Sequence, residues 1–438
     1  MASNIRIVAF LLSVFSLGGE GARQNNSTQL ISPGSSLSPI STHHPSSWPS
    51  PSGNFAFGFY EKGAGFAIGI WLEGTDKQTI VWTANRDDLP VTSNAMLRLT
   101  SDGKLVLSDR EQQKNLTVST GTNSPTDSAA SSASMLDSGD FVLYNKTRDV
   151  IWESFNHPTD TLLGGQILPV GGSLFSSLSE NDRSTGRFHL DMQADGNLVL
   201  YSANSENSSA DSYWSSGTFV QPKLQLYLNA TGRLVLINST SWEESKVLYD
   251  DESSKTNYDG TIYRATIDVD GNFRLYSHEY DKSTGKFQPS VTLWQALADP
   301  CDVKGFCGLN SYYTLYDYQP NCLCLPGTDY ADFDQRTLGC LRNYTKVECN
   351  DGKENISSYQ MSTMENMVLE DIAYYEAQMP TVKECSRSCL EDCNCGAAEF
   401  DSGSNLCAKQ NLPLRYVRRD PKESITAVFK IGNITAKI

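Results

Sequence analysis

One unit recurs along this chain, and its period limits the folds open to it. Ser101-Asp-Gly-Lys-Leu-Val-Leu, Asp137-Ser-Gly-Asp-Phe-Val-Leu-Tyr, Gln193-Ala-Asp-Gly-Asn-Leu-Val-Leu-Tyr, Ala230-Thr-Gly-Arg-Leu-Val-Leu and Asp270-Gly-Asn-Phe-Arg-Leu-Tyr each read as a turn followed by an apolar strand. Returns at roughly forty residues mark a repeated β architecture in which no unit is large enough to bury its own face. Further strand signals surround them: Phe55-Ala-Phe-Gly-Phe-Tyr60, Phe66-Ala-Ile-Gly-Ile-Trp71 and Thr79-Ile-Val-Trp-Thr-Ala-Asn-Arg-Asp. Short β-branched and aromatic runs separated by Gly predict an all-β domain. All 11 cysteines lie after residue 300, so burial of Trp71, Trp82 and their neighbours must hold the earlier part together.

The copies differ in their polar residues. If the third stays extended, alternation places Gln193, Asp195, Asn197, Val199 and Tyr201 on one face. That face offers a carboxylate, two amides, a phenol and one small apolar patch, the mix that vicinal sugar hydroxyls require. The corresponding positions are Thr100, Asp102, Lys104 and Ser108 in the first copy, and Asn229, Thr231, Arg233 and Ile237 in the fourth. The last keeps Asp268, Asp270, Asn272 and Tyr276 but has Arg274 where the third has Val199. The turn and the apolar alternation therefore belong to the fold, and only the polar set speaks for sugar. Residues 193–201 match the Gln-x-Asp-x-Asn-x-Val-x-Tyr mannose motif of the bulb-type lectins at every defined position, and resemble one of their sugar sites.

Net charge is −16, which argues against nucleic acid or anionic lipid as the main partner. Arg6, the apolar run Ile7–Leu17 and small residues through Ala22 predict a secretory signal peptide over 1–22. Sequons at Asn25, Asn26, Asn115, Asn145, Asn207, Asn229, Asn238, Asn343, Asn355 and Asn433 agree with a secreted or extracellular destination. So do the bunched cysteines, which read as a disulfide framework. No later apolar run approaches membrane length. His43-His44 sits in a Ser/Pro/Thr-rich stretch with no third ligand near, and reads as polar loop.

Ser52-Gly-Asn-Phe-Ala-Phe-Gly-Phe, Ile80-Val-Trp-Thr-Ala-Asn-Arg-Asp and Trp152-Glu-Ser-Phe-Asn-His-Pro-Thr-Asp-Thr-Leu-Leu resemble the ectodomain of plant G-type lectin S-receptor-like serine/threonine kinases. The resemblance implies a mainly β chain: bulb-lectin β-prisms over 23–150 and 151–292, an EGF-like module over 293–346, a PAN/apple domain over 347–432 and a tail at 433–438. A Ser/Ala/Thr-rich segment at 119–134 reads as an exposed loop. Thr381-Val-Lys-Glu384 reads as a capping box opening a helix with Cys385 and Cys389 on one face.

The same resemblance implies the cysteine pairing. In the PAN segment it pairs Cys385 with Cys407 and Cys389 with Cys395, leaving Cys349 for Cys393. The EGF-like segment has five cysteines where the family has six, with Tyr313 at the missing place. Family pairing then gives Cys307–Cys322 and Cys324–Cys340, and leaves Cys301 without a partner: a free thiol, an intermolecular bridge, or a buried, inert residue. We expect the free thiol. The CxC and CxxxC spacings invite a zinc site, but this region holds no His and the family pairs these residues.

No Gly-rich phosphate loop, His-Arg-Asp, Asp-Phe-Gly, Gly-x-Ser-x-Gly or His-Glu-x-x-His occurs, so neither enzyme activity nor a cofactor is expected. The resemblance implies an extracellular module binding a mannose-type glycan or glycoprotein, with self-association or a receptor partner through the PAN domain. The rivals are a lectin-fold scaffold that binds a protein or peptide, and a soluble decoy of a full-length receptor.

Overall fold

The computed structural model describes residues 30–109, 114–117, 129–202, 211–221, 223–250, 260–316, 319–345 and 356–432. The first body is a prism of three antiparallel sheets. One contains Ser47–Pro49, Phe55–Lys62, Gly65–Leu72 and Thr79–Thr83; the second Ser36–Leu37, Met96–Leu99, Leu105–Asp109 and Lys114–Thr117. Ser132–Met135, Phe141–Tyr144 and Val150–Glu153 form the third. The inward positions of all three meet in one core, where Phe57 and Phe141 stack with ring centroids 3.8 Å apart and Trp48 lies beside both.

Part of the segment expected to be an exposed loop is instead the strand Ser132–Met135, with Ala133 and Met135 buried. Small side chains hid the alternation, because serine on a strand looks like loop composition. The rest of that segment, 119–128, lies outside the described residues.

A second prism repeats the plan. Its sheets carry Thr161–Leu163 with Thr261–Ile267, Phe273–Asp281 and Val291–Gln295; Ile167–Leu168 with Leu224–Leu228, Leu234–Asn238 and Glu244–Tyr249; and Ser173–Ser177 with Thr185–Met192, Leu198–Ser202 and Ser212–Ser215. Leucines dominate its core, as the Leu-Val-Leu repeats require.

The Thr-Ala-Asn-Arg-Asp stretch clamps the prisms together. Arg86 reaches across and donates to the carbonyls of Arg183 (2.7 Å), Phe175 (2.8 Å), Ser176 (3.0 Å) and Ser184 (3.3 Å). Asp87 accepts from the Thr185 amide and hydroxyl, both at 2.7 Å. Trp82 adds a bond from its indole nitrogen to the His157 carbonyl.

Beyond residue 300 disulfides appear. Cys307 is bonded to Cys322, Cys324 to Cys340, Cys385 to Cys407 and Cys389 to Cys395, while Cys301 is free. Cys393 is disulfide-bonded, and Cys349, its expected partner, lies outside the described residues. The helix Val382–Leu390 starts where the Thr381 hydroxyl accepts from the Glu384 amide. Its buried face presents Cys385 and Cys389 to a five-stranded sheet of Tyr359–Glu365, Ile425–Gly432, Ala397–Asp401, Leu406–Gln410 and Tyr375–Gln378.

Two strands of the C-terminal part, Met367–Leu369 and Val417–Arg419, complete a sheet with the hairpin Ser311–Tyr316/Gln319–Cys324. Tyr312 and Leu325 share a core with Met367, Leu414 and Phe429, so residues on both sides of the expected boundary at 346 pack as one body.

Candidate functional site

The five motif residues converge, though not on one extended strand. Only Val199 and Tyr201 lie in the strand Leu198–Ser202; Gln193–Asn197 forms a tight turn in which the Gly196 amide bonds the Gln193 carbonyl. Gly196 takes φ +90°, and a Cβ there would come within 1.8 Å of the Gln221 carbonyl oxygen, so no other residue fits. The turn brings Gln193 back over the strand, where its Nε2 donates to the Tyr201 hydroxyl at 2.7 Å. That bond leaves the Tyr201 O–H proton and Gln193 Oε1 for a ligand.

Asp195 is exposed; its Oδ1 accepts from the Asn197 amide at 2.9 Å and its Oδ2 has no partner among the described residues. Asn197 is held from behind, with its Oδ1 accepting from the Ser216 hydroxyl (3.1 Å) and the Thr218 amide (3.2 Å), so its amide nitrogen is the part left to act. Ser216 and Thr218 belong to no motif, and nothing in the sequence alone marks them as supports. Val199 and Tyr201 are only 3% and 4% exposed, and His189 stacks on the Tyr201 ring at 5.4 Å. Burial raises the Tyr201 pKa, keeping the phenol a neutral donor.

The last copy is closed on itself. Arg274 bonds Asp268 (2.7 Å) and Asp270 (2.6 Å to Oδ2), and the Tyr276 hydroxyl donates to Asp268 at 2.6 Å. The guanidinium thus occupies the polar groups that a sugar would need. In the copy around 230, Asn229 Oδ1 is consumed by its own turn and Arg233 pairs with Asp250 and Glu244.

Of the sequon asparagines, Asn343 is exposed, Asn145 and Asn229 are half-buried at turns, Asn238 is half-buried at the end of the strand Leu234–Asn238, and Asn115 lies in the strand Lys114–Thr117. Asn25, Asn26, Asn207, Asn355 and Asn433 lie outside the described residues, as does the expected signal segment 1–22. No metal-holding cluster of His, Cys, Asp or Glu occurs among the described residues, and none of their helices is long and apolar enough to cross a membrane.

Cys301 sits on the short 3-10 turn Pro300–Asp302 and packs against the Cys307–Cys322 bridge and Tyr313, rather than standing free in a polar linker. Burial, reinforced by the Asp299 carboxylate, pushes its thiol up to about 12.

Comparison with known proteins supplies the family. The D-mannose binding lectin family matches residues 79–172, which does not include the Gln193–Tyr201 motif, and the PAN-like domain family matches residues 349–414. A rice (Oryza sativa subsp. japonica) G-type lectin S-receptor-like serine/threonine-protein kinase, LECRK2, is 32% identical over 92% of this chain and 51% of its own length. An Arabidopsis thaliana G-type lectin S-receptor-like serine/threonine-protein kinase, RLK1, is 29% identical over 89% of this chain and 48% of its own length. Among solved structures, the monomeric mannose-binding lectins of Gastrodia elata align with 32% of this chain and 98% of theirs, at 23% identity and a TM-score of 0.23, too low to add to the sheet topology itself. The chain spans about half the length of the relatives it matches. Over that half, it is a homologue of the G-type lectin S-receptor-like serine/threonine-protein kinases, with a D-mannose binding lectin match and a PAN-like match in the same order along the chain.

Proposed function

We propose that this chain is an extracellular recognition module that takes a mannose-type glycan at Gln193–Tyr201. The observation behind the reading is the Gln193–Tyr201 hydrogen bond of 2.7 Å beside the exposed Asp195 carboxylate: a donor and two acceptors held ready over one small surface. Asp195 and Asn197 would bond one sugar hydroxyl, Gln193 and Tyr201 its neighbours, and Val199 would touch the ring carbons. Net hydrogen bonds of about 1 kcal/mol each give single-site binding on the order of millimolar, so useful affinity requires several sites. A high-mannose glycan array tests this, with Asp195→Ala as control. No signal for the wild type, or an undiminished signal for the variant, rejects it.

A second reading, a lectin-fold scaffold for a protein or peptide ligand, draws on the Arg274 closure of the neighbouring copy and the near-complete burial of Val199 and Tyr201. Binding to a partner that mannose does not displace, and that survives Gln193→Ala, favours it. Self-association or receptor pairing through the PAN domain, glycosylation at Asn343 and disulfide pairing of Cys349 with Cys393 complete the proposal. The kinase activity of the full-length relatives is not proposed for this chain.

A further inference from the structure

The loop Ser216–Gln221 is fastened to the motif turn along its length. Thr218 donates from its amide to Asn197 Oδ1 (3.2 Å) and from its hydroxyl to the Gly196 carbonyl (2.7 Å), while the Gln221 amide bonds the Asp195 carbonyl (3.0 Å). Between these anchors lie Phe219 and Val220, 62% and 78% exposed. Two adjacent large apolar side chains in water are a poor use of a polar loop, and the loop that carries them is bonded to Asp195 and Asn197, the two residues that would grip a sugar hydroxyl. Val220 also adopts φ +71°, a left-handed conformation that a β-branched residue takes only at a cost. A glycine would sit there without strain. The fold thus holds an apolar residue in an unfavourable backbone position at the edge of the candidate site, as functional surfaces often do.

We propose that Phe219 and Val220 form an outer subsite that packs against the apolar face of the second sugar of a glycan whose terminal residue occupies Gln193–Tyr201. Sugar rings carry C–H faces that pack on aromatic and aliphatic groups, whereas their hydroxyls need the polar set, so the two neighbouring surfaces divide the work. This inference rests on the proposed sugar site, and it narrows the ligand from a monosaccharide to an oligosaccharide. It also bears on affinity: Val199 is 3% exposed and offers the terminal ring only a small contact, so most of the apolar contact of a bound oligosaccharide would come from Phe219 and Val220.

The test is titration of the full chain with methyl α-mannoside and with an α-linked mannotrioside, followed by nuclear magnetic resonance or calorimetry. The wild type should bind the trioside about tenfold more tightly than the monosaccharide, and Phe219→Ala should lose most of that gain while keeping monosaccharide binding. Val220→Gly should lower trioside affinity yet raise the melting temperature, because it removes the methyl groups and the strain together. Asp195→Ala should lose both ligands. A trioside gain that survives Phe219→Ala, or its absence from the wild type, overturns the subsite while leaving the sugar site standing. A wild type that binds neither sugar overturns both.

Discussion

Arg86→Ala should loosen the joint between the prisms. The side chain is mostly buried, and burial lowers its pKa, yet at neutral pH the guanidinium stays charged. It meets four carbonyls of the second prism and the Ser177 hydroxyl. Charge-assisted bonds contribute about 1.5–3 kcal/mol each, but they share one cation and are not additive. Taking that cation out of water costs several kcal/mol, and no carboxylate bonds it directly, so the net loss on truncation is about 3 kcal/mol. Asp87 keeps its two bonds to Thr185, so the prisms stay together. For a body of this size the loss corresponds to a fall in melting temperature of about 6–12 °C. Arg86→Lys, which keeps the charge but not the planar fork, should fall between the wild type and alanine. Scanning calorimetry of the full chain measures the series. A melting temperature for Arg86→Ala within about 2 °C of the wild type would refute the clamp.

Further predictions concern single residues. Asp140 is buried where its carboxylate accepts from Ser154, and burial lifts its pKa from 3.8 to about 6. A raised carboxyl contributes stability that is present below about pH 4 and lost as the pH rises through about 6. Asp140→Asn should therefore be the more stable protein at pH 7, by on the order of 2 kcal/mol, and show no such fall; parallel urea-denaturation curves at pH 4 and pH 7 would count against this. Cys301 should be the one cysteine alkylated after denaturation without reductant and should react slowly in the native chain, since its thiol is pushed up to about 12. Rapid native labelling, or no label at all in a denatured monomer, contradicts that. Thr381→Ala removes the cap of the helix Val382–Leu390 and should cost about 1 kcal/mol, measurable as a lowered denaturation midpoint.

The repeat made most of the architecture legible. A turn glycine followed by Leu-Val-Leu specifies a strand with a buried face whichever sheet it joins, and the three-sheet plan follows from placing several such units around one core. Where composition and conformation part company, the sequence misleads. Ser132–Met135 is a strand disguised by serines. The polar set and the Asp-Gly turn were readable between Gln193 and Tyr201, but the bond from Gln193 to Tyr201 was not, because a period of two describes an extended chain and this segment folds back at Gly196. Arg86, Thr218 and Phe219 act through partners far away in sequence or through exposure, and neither leaves a periodic trace.

The core shared by residues 312–325 and 367–429 has a consequence for the order of synthesis. Chains emerge from the ribosome N-terminus first, and domains generally fold as they appear. All the strands of both prisms are out once residue 295 is, and Leu297 and Val303 complete the second core. The hairpin Ser311–Cys324 then waits for Leu414, whose carbonyl bonds the Asn310 amide and whose amide bonds the Asn310 side chain. During that interval Cys301, Cys307, Cys322, Cys324 and Cys340 are present together before the packing that sorts them is complete. A nascent chain stalled short of residue 414 should hold scrambled bridges, because the bonds of Leu414 to Asn310 that fix the hairpin have not yet formed.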